Sequence, residues 1–231
     1  MSETTSFGRW QPSGSRLRRL LVDSPASLGA RARARRWQVF RETFPEIENL
    51  RVLDLGGTVE SWRRAPVRPR HVTVLNLFEP GEAQDDWITP VVGDACAAGE
   101  ALAGADLDAH FDLVFSNSLI EHVGGHARRA DLARQIHQLA PRHWVQTPYR
   151  YFPVEPHWLF PGMQFMPAAA RVAIARHWPL VHTRPESYDD AVDAVLWTEL
   201  VGITEMRDYF PTSAIVRERV LGVPKSLIAV L

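Results

Sequence analysis

The stretch RVLDLGGTVE, residues 51–60, sets a short apolar run against an acidic residue and two glycines. A run this brief and continuous reads as a strand buried on both faces, the pattern of a parallel sheet. Asp54, Gly56 and Gly57 then stand at its carboxyl end, where glycine lets backbone approach a ligand closely. Taken alone, D-x-G-G is equally well explained by a tight structural turn.

Four further runs share this character: HVTVLNL (71–77), ITPVVGD (88–94), FDLVFSN (111–117) and HWVQTP (143–148). Their spacing leaves room for crossover connections, and ARRADLARQIHQLA (127–140) is an amphipathic helix of the kind such crossovers use. Upstream, ARARARRWQVFRETF (30–44) carries Trp37, Val39, Phe40 and Phe44 on one helical face, stopped by Pro45. Helices are predicted near 167–178, 189–200 and 203–209. SAIVRERV (213–220) and KSLIAVL (225–231), joined by Leu221 to Pro224, read as a closing hairpin that makes the last strand antiparallel. The expected class is α/β, a doubly wound and mostly parallel sheet. Residues 1–28, with Arg16, Arg18 and Arg19, read as a flexible arm. Residues 29–231 read as one domain with an insertion at about 149–190.

The composition excludes several functions. With 26 basic and 27 acidic residues the formal net charge is −1, which gives no general surface for nucleic acid or membrane. The single Cys96 rules out an internal disulfide or a cysteine-built zinc site, and no apolar stretch resembles a leader or a membrane span. A cytoplasmic protein is expected. A homodimer is compatible with these features.

In open α/β sheets, ligands lie beyond the carboxyl ends of the strands. After the first run come Asp54, Gly56 and Gly57. The second ends at Asn76, where such folds usually carry an acid for ribose hydroxyls. The third ends at Asp94 and Ala95, suited to an adenine edge, and the fourth at Ser116 and Asn117. These weak signals arrive in the right chain order.

The segments VLDLGG, VLNL, VVGDA and FDLVFSNSLIEHV, with VQTPYRYFPVEPHWLFP downstream, resemble the class I S-adenosylmethionine-dependent methyltransferases. Within them the chain is similar to the group called methyltransferase type 11, and to sugar O-methyltransferases of the methylmannose polysaccharide type. The resemblance implies a seven-stranded Rossmann-like methyltransferase fold with an antiparallel C-terminal strand, and S-adenosyl-L-methionine as cofactor. It implies that Gly56 and Gly57 pack on the methionine part, Asn76 meets the ribose, Asp94 and Ala95 the adenine, and Ser116 and Asn117 the side nearest the sulfonium. The family's glycine-rich loop is longer, since Val59 and Glu60 stand where its last glycine would fall, and its second-strand acid is Asn76 here.

Methyl transfer to a hydroxyl needs positioning and a base. Position sorts the nine histidines. His71 and His143 open strands, His110 precedes one, His137 belongs to a covering helix, His177 and His182 flank later elements, and His126 sits in a Gly-rich turn. His122 and His157, with Glu121 beside the former, are the catalytic candidates. In ubiquinone-type O-methyltransferases a similar segment reads E-x-x-E-H and binds a divalent cation. Here Ser118 replaces the first carboxylate, and Glu121, His122 and Glu155 are candidate ligands for Mg²⁺ or a softer ion. Trp62, Tyr149, Tyr151, Trp158 and Phe160 are expected to wall this region. With Arg150 they suit a small hydroxylated acceptor, a sugar above all. The alternatives are a dinucleotide-dependent oxidoreductase, which would want a G-x-G-x-x-G loop, and a catalytically silent cofactor-binding protein.

Overall fold

A computed structural model describes residues 27–181 and 184–231; the predicted arm up to residue 26, with its Arg cluster, and His182 lie outside the described residues. The chain divides into two compact units. One takes Ala34–Phe152 with Trp197–Leu231, the other Pro153–Leu196 with the described residues up to Arg33.

The first unit is built on a sheet of seven strands: β1 (Arg51–Leu55), β2 (His71–Asn76), β3 (Ile88–Val92), β4 (Leu113–Asn117), β5 (His143–Pro148), β8 (Ala214–Val220) and β9 (Val223–Val230). Their order is β3-β2-β1-β4-β5-β9-β8. Neighbours from β3 to β5 pair in parallel, and β9 runs antiparallel to both β5 and β8. The predicted fold class holds, including the antiparallel last strand. The central strands are buried almost throughout, which is why their sequences run apolar without alternation.

Successive side chains still point to opposite faces. Val52, Val72, Val74, Leu113 and Phe115 enter one core layer; Leu53, Leu55, Leu75 and Val114 enter the other. The first layer is covered by α1 (Leu28–Thr43), whose Phe40 meets Phe115 and Trp144 edge-on at 5.3 Å, while Trp37 stacks on Phe115 at 5.6 Å. The second is covered by α3 (Ala98–Gly104), α4 (His126–Leu139) and α7 (Ile203–Tyr209), through Ala98, Leu102, Leu132, Ile136, Leu139 and Met206. A Phe40→Ala change at the centre of the aromatic layer would remove about 3–5 kcal/mol.

The closing hairpin is tighter than its sequence suggests. Only Leu221 and Gly222, at φ 50° and 83°, form the turn, and Val223 and Pro224 already belong to β9. Two consecutive positive φ values give the two-residue turn whose twist matches the strands it joins. Pro224 is accommodated beside the register shift at Glu218/Arg219.

In the second unit, a short hairpin of β6 (Val154–Glu155) and β7 (Phe160–Pro161) precedes α5 (Ala168–His177) and α6 (Tyr188–Trp197). Trp158, Met163, Val172, Ala175, Val181, Ala191 and Val195 form its own small core. The side chain of Arg171 donates to the Val195 carbonyl at 2.7 Å, holding the end of α6.

His143, at the start of β5, is fully buried, with Nε2 2.8 Å from the Ser213 hydroxyl and its ring against Phe210 and His137. Burial first, and then the neighbouring His137, push its pKa down to about 4. Unfolding restores an ordinary imidazole near about 6.5. The neutral ring therefore contributes stability in full above about pH 6.5, and that contribution is lost as the pH falls towards 4. Urea midpoints measured across this range should decline for the native chain and decline less for His143→Gln. Equal slopes would place the acid sensitivity elsewhere.

Candidate functional site

At the end of β1 the chain turns around a buried acid. Asp54 accepts a 2.7 Å hydrogen bond from the indole Nε1 of Trp62 on Oδ2, while Oδ1 is buried and has no hydrogen-bond partner among the described residues. Burial pushes its carboxyl up to about 7, against the opposing pull of the Trp62 N–H. Trp62 belongs to the short helix α2 (Val59–Arg63), whose first turn is capped by the Thr58 hydroxyl. The two glycines are what this turn requires. Gly56 sits at φ 85°, and a Cβ on Gly57 would lie 1.7 Å from Asp54 Oδ2.

Asn76 explains its own departure from an acid. Its side-chain NH₂ donates to the carbonyls of Gly56 at 3.1 Å and Gly57 at 2.8 Å, and its Oδ1 accepts from the Phe78 N–H. A carboxylate cannot donate either of the first two bonds. Asn76 thus fastens the glycine turn.

Val92 pairs with Asn76 in register, and Leu77, Phe78 and Val92 form exposed apolar positions at the ends of β2 and β3. Just beyond, Asp94 accepts from the Cys96 N–H at 2.9 Å through Oδ1 and from Arg128 at 2.5 Å through Oδ2. Although burial opposes it, hydrogen bonding from Arg128 and from the Cys96 backbone holds the Asp94 carboxyl below its ordinary value. Ala95 follows, largely buried.

At the end of β4, Ser116 is buried and donates to the Leu55 carbonyl at 3.1 Å, so its hydroxyl joins two strands. Asn117 is exposed, and its Oδ1 accepts from Arg36 at 2.9 Å. The same guanidinium reaches Gln146 of β5 at 3.0 Å and grips both oxygens of Glu218 on β8, at 2.9 and 2.7 Å. Glu121 is fully buried and accepts from the Thr147 hydroxyl at 2.9 Å; its carbonyl accepts from the Glu199 N–H. His122 closes the turn Ile120–His122, half-buried.

The second unit holds Glu155 and His157. The buried Glu155 accepts the backbone N–H groups of His157 and Trp158 on Oε2, at 2.7 and 2.9 Å, and meets His157 Nδ1 at 2.6 Å through Oε1. Carboxylate and imidazole are paired, with the ring a quarter exposed.

The structure therefore binds Asp54, Gly56, Gly57 and Asn76 into one turn and sets Asp94 with Ala95 beyond the end of β3 and Ser116 with Asn117 at the end of β4, with β2 and β1 between them. Glu121 and His122 belong to the sheet unit, Glu155 and His157 to the other. Two rings of the expected aromatic wall are buried within their own units. Trp62 is a core residue behind the turn and Trp158 a core residue of the second unit, whereas Tyr151 is exposed, with its ring 5.5 Å from that of Tyr149. Sequence reasoning missed Arg36 and Arg128, both of which look like solvated positions on amphipathic helices.

No protein-family model and no curated protein matches the chain. Among solved structures, the chain is similar to an S-adenosylmethionine-dependent methyltransferase from Anabaena variabilis, with a TM-score of 0.52 at 11% identity over 84% of this chain and 82% of that one. A cyclopropane-fatty-acyl-phospholipid synthase-like protein from Lactobacillus casei gives 0.51 at 12% identity, over 83% and 73% of the two chains. A protein from Rhodobacter sphaeroides named as a Zn-dependent alcohol dehydrogenase gives 0.52 at 11%, over 85% and 87%. At these identities the likeness is one of fold. The order and direction of the seven strands define a Rossmann-like methyltransferase fold. No helix among the described residues is long and apolar enough to cross a membrane.

The role of Asn76 can be tested without a ligand. Asn76→Asp replaces two donated bonds by a carboxylate facing two carbonyls, and should lower stability by about 1–3 kcal/mol in the urea midpoint, more as the new acid ionises with rising pH. A variant as stable as the native chain at neutral pH would remove Asn76 as the fastener of the turn.

Proposed function

We propose that the protein is an S-adenosylmethionine-dependent O-methyltransferase acting on a hydroxyl of a small acceptor, a saccharide. The observation that carries this reading is the pairing of two features. One is a methyltransferase-type sheet with a glycine turn over a buried acid at its carboxyl edge. The other, in the second unit, is an imidazole fixed by a buried carboxylate.

The cofactor, when bound, supplies an electrophilic methyl group on a sulfonium. Gly56 and Gly57 give it bare backbone to lie against, Asp94 and Ala95 offer an acceptor and a donor for the adenine edge, and Leu77, Phe78 and Val92 supply apolar contact for its rings. Asn117 lies at the end of β4, towards the reacting group. Glu155 accepts the Nδ1 proton of His157, which leaves the lone pair on Nε2. His157 then takes the acceptor's hydroxyl proton as the oxygen forms its bond to the methyl carbon. The sulfonium would keep the electrons of its carbon–sulfur bond and so supply the leaving group. Glu121 and His122 complete the set of acid–base candidates on the sheet unit. Both oxygens of Glu155 already serve N–H groups, which favours an orienting carboxylate over a cation ligand. Tyr149 and Tyr151 offer ring faces of the kind that cover a sugar's C–H surface.

Labelled S-adenosylmethionine assayed against sugars, lipids and phenols should give transfer to a hydroxylated acceptor. His157→Ala should lower the rate by about 10² to 10⁴-fold with the affinity for S-adenosylhomocysteine unchanged. A rate within a few-fold of native would end the base assignment. Full activity after EDTA is expected, and its loss would bring in a divalent ion on Glu121 and His122. Binding of NAD in place of S-adenosylhomocysteine would favour the oxidoreductase, and cofactor binding without turnover the silent protein.

Asp54 gives an independent pH signature. A cationic ligand favours its ionised form, so affinity for S-adenosylmethionine should rise as the pH passes up through about 7, and Asp54→Asn should abolish the rise. A flat native profile would remove Asp54 from the cofactor's surroundings.

A further inference from the structure

Arg128 stands in the first turn of α4, where the helix dipole disfavours a cation, and the next residue, Arg129, is also basic. Each is held by a carboxylate from elsewhere in the chain. Arg129 is buried and bound to Glu199, which ties α4 to the segment before α7. Arg128 has no such packing role: its head is nearly half exposed, and it spans from α4 to the end of β3 to meet Asp94. Its Nε donates to the Val123 carbonyl at 3.4 Å, so the guanidinium is held from two sides.

We infer that Arg128 is a positioning residue that fixes Asp94 as a permanent hydrogen-bond acceptor, and so sets the preference of the site for a 6-aminopurine over a 6-oxopurine. This rests on the cofactor reading above. An ionised carboxylate accepts only, and with one bond to each oxygen taken by Cys96 and Arg128 it keeps lone pairs for a further donor. The N–H of Ala95, next in the chain, is a donor beside it. Acceptor and donor side by side match the amino group and ring nitrogen of adenine. Hypoxanthine presents the reverse pair, a carbonyl and an N–H, and a site built for the first arrangement leaves its own polar groups unpaired against the second. The arrangement holds only while Asp94 carries no proton and cannot rotate.

The other titratable groups close to this pair are Cys96, whose thiol burial pushes up to about 11, and Asp131 on α4, which bonds Arg134. Hydrogen bonding to Asp94 in turn raises the guanidinium's own pKa, so the pair keeps its charges at any working pH.

The test is equilibrium binding of S-adenosylhomocysteine and S-inosylhomocysteine to the whole chain at about pH 5 and about pH 8, which bracket the range above an ordinary aspartate. The native chain should prefer the adenosyl ligand by about 100-fold or more at both values. Arg128→Met should lose about tenfold of that preference, with the larger loss at the lower pH, and Arg128→Lys should recover part of it. A purely structural role would weaken both ligands equally and leave the pH profile unchanged, and that result overturns the proposal. Should Arg128→Met fail to fold, the Lys variant must still show a smaller shift in the same direction. A native chain that binds neither ligand overturns the cofactor reading itself. Native binding with the preference and pH profile retained in both variants overturns only the role of Arg128.

Discussion

A parallel sheet covered on both faces has no polar surface to offer a ligand, so everything it can do chemically is confined to the ends of its strands. In this chain the constraint is met first at β1, where Asp54 is buried beneath its own turn. The Trp62 indole, the bare Cα of Gly57 and the carbonyl-directed amide of Asn76 are all arranged around that one carboxyl group. A buried acid with an unpartnered oxygen is an expense in a free protein. Its carboxyl is accordingly pushed up to about 7 by burial.

Fixing of one polar side chain by another recurs in both units. Asp94 is held open as an acceptor by Arg128, Asn117 is held by Arg36, and in the second unit His157 is held by Glu155. In each case a second residue uses its own hydrogen bonds to fix the first. Pre-organisation of this kind lowers the cost of ordering at the moment of binding.

The sheet was legible because burial on both faces leaves an unmistakable record: short runs of Val, Leu and Ile closed by Gly, Asp or Asn, in an order that only a parallel sheet explains. The positions of Asp54, Asp94, Asn117 and His157 follow from that order. What the sequence hid was which groups hold them. Trp62 lies on a helix too short to show a period, so nothing marked it as core. Arg36 and Arg128 sit on amphipathic helices among other arginines, and a charged residue that reaches across to a distant strand reads the same as one that faces water. The turn at Leu221 and Gly222 was placed too long because Pro224 normally ends a strand, and only the register shift beside it makes room.

Arg36 also dictates an order of assembly. Its guanidinium joins α1 to Glu218, a partner 182 residues further along the chain. During synthesis α1 emerges early, and β1 to β5 can pair as they appear, but β5 keeps a bare hydrogen-bonding edge until β9 has left the ribosome and slid in between β5 and β8. From β5 onwards the nascent chain therefore displays an unpaired buried-type strand, and an arginine whose ion-pair partner Glu218 has yet to be made. Long-range closures of this sort are slow and invite misassociation. The lateral edge of β5 is thus the last part of the sheet unit to be covered, well after β1 to β4 and the residues at their carboxyl ends have been made.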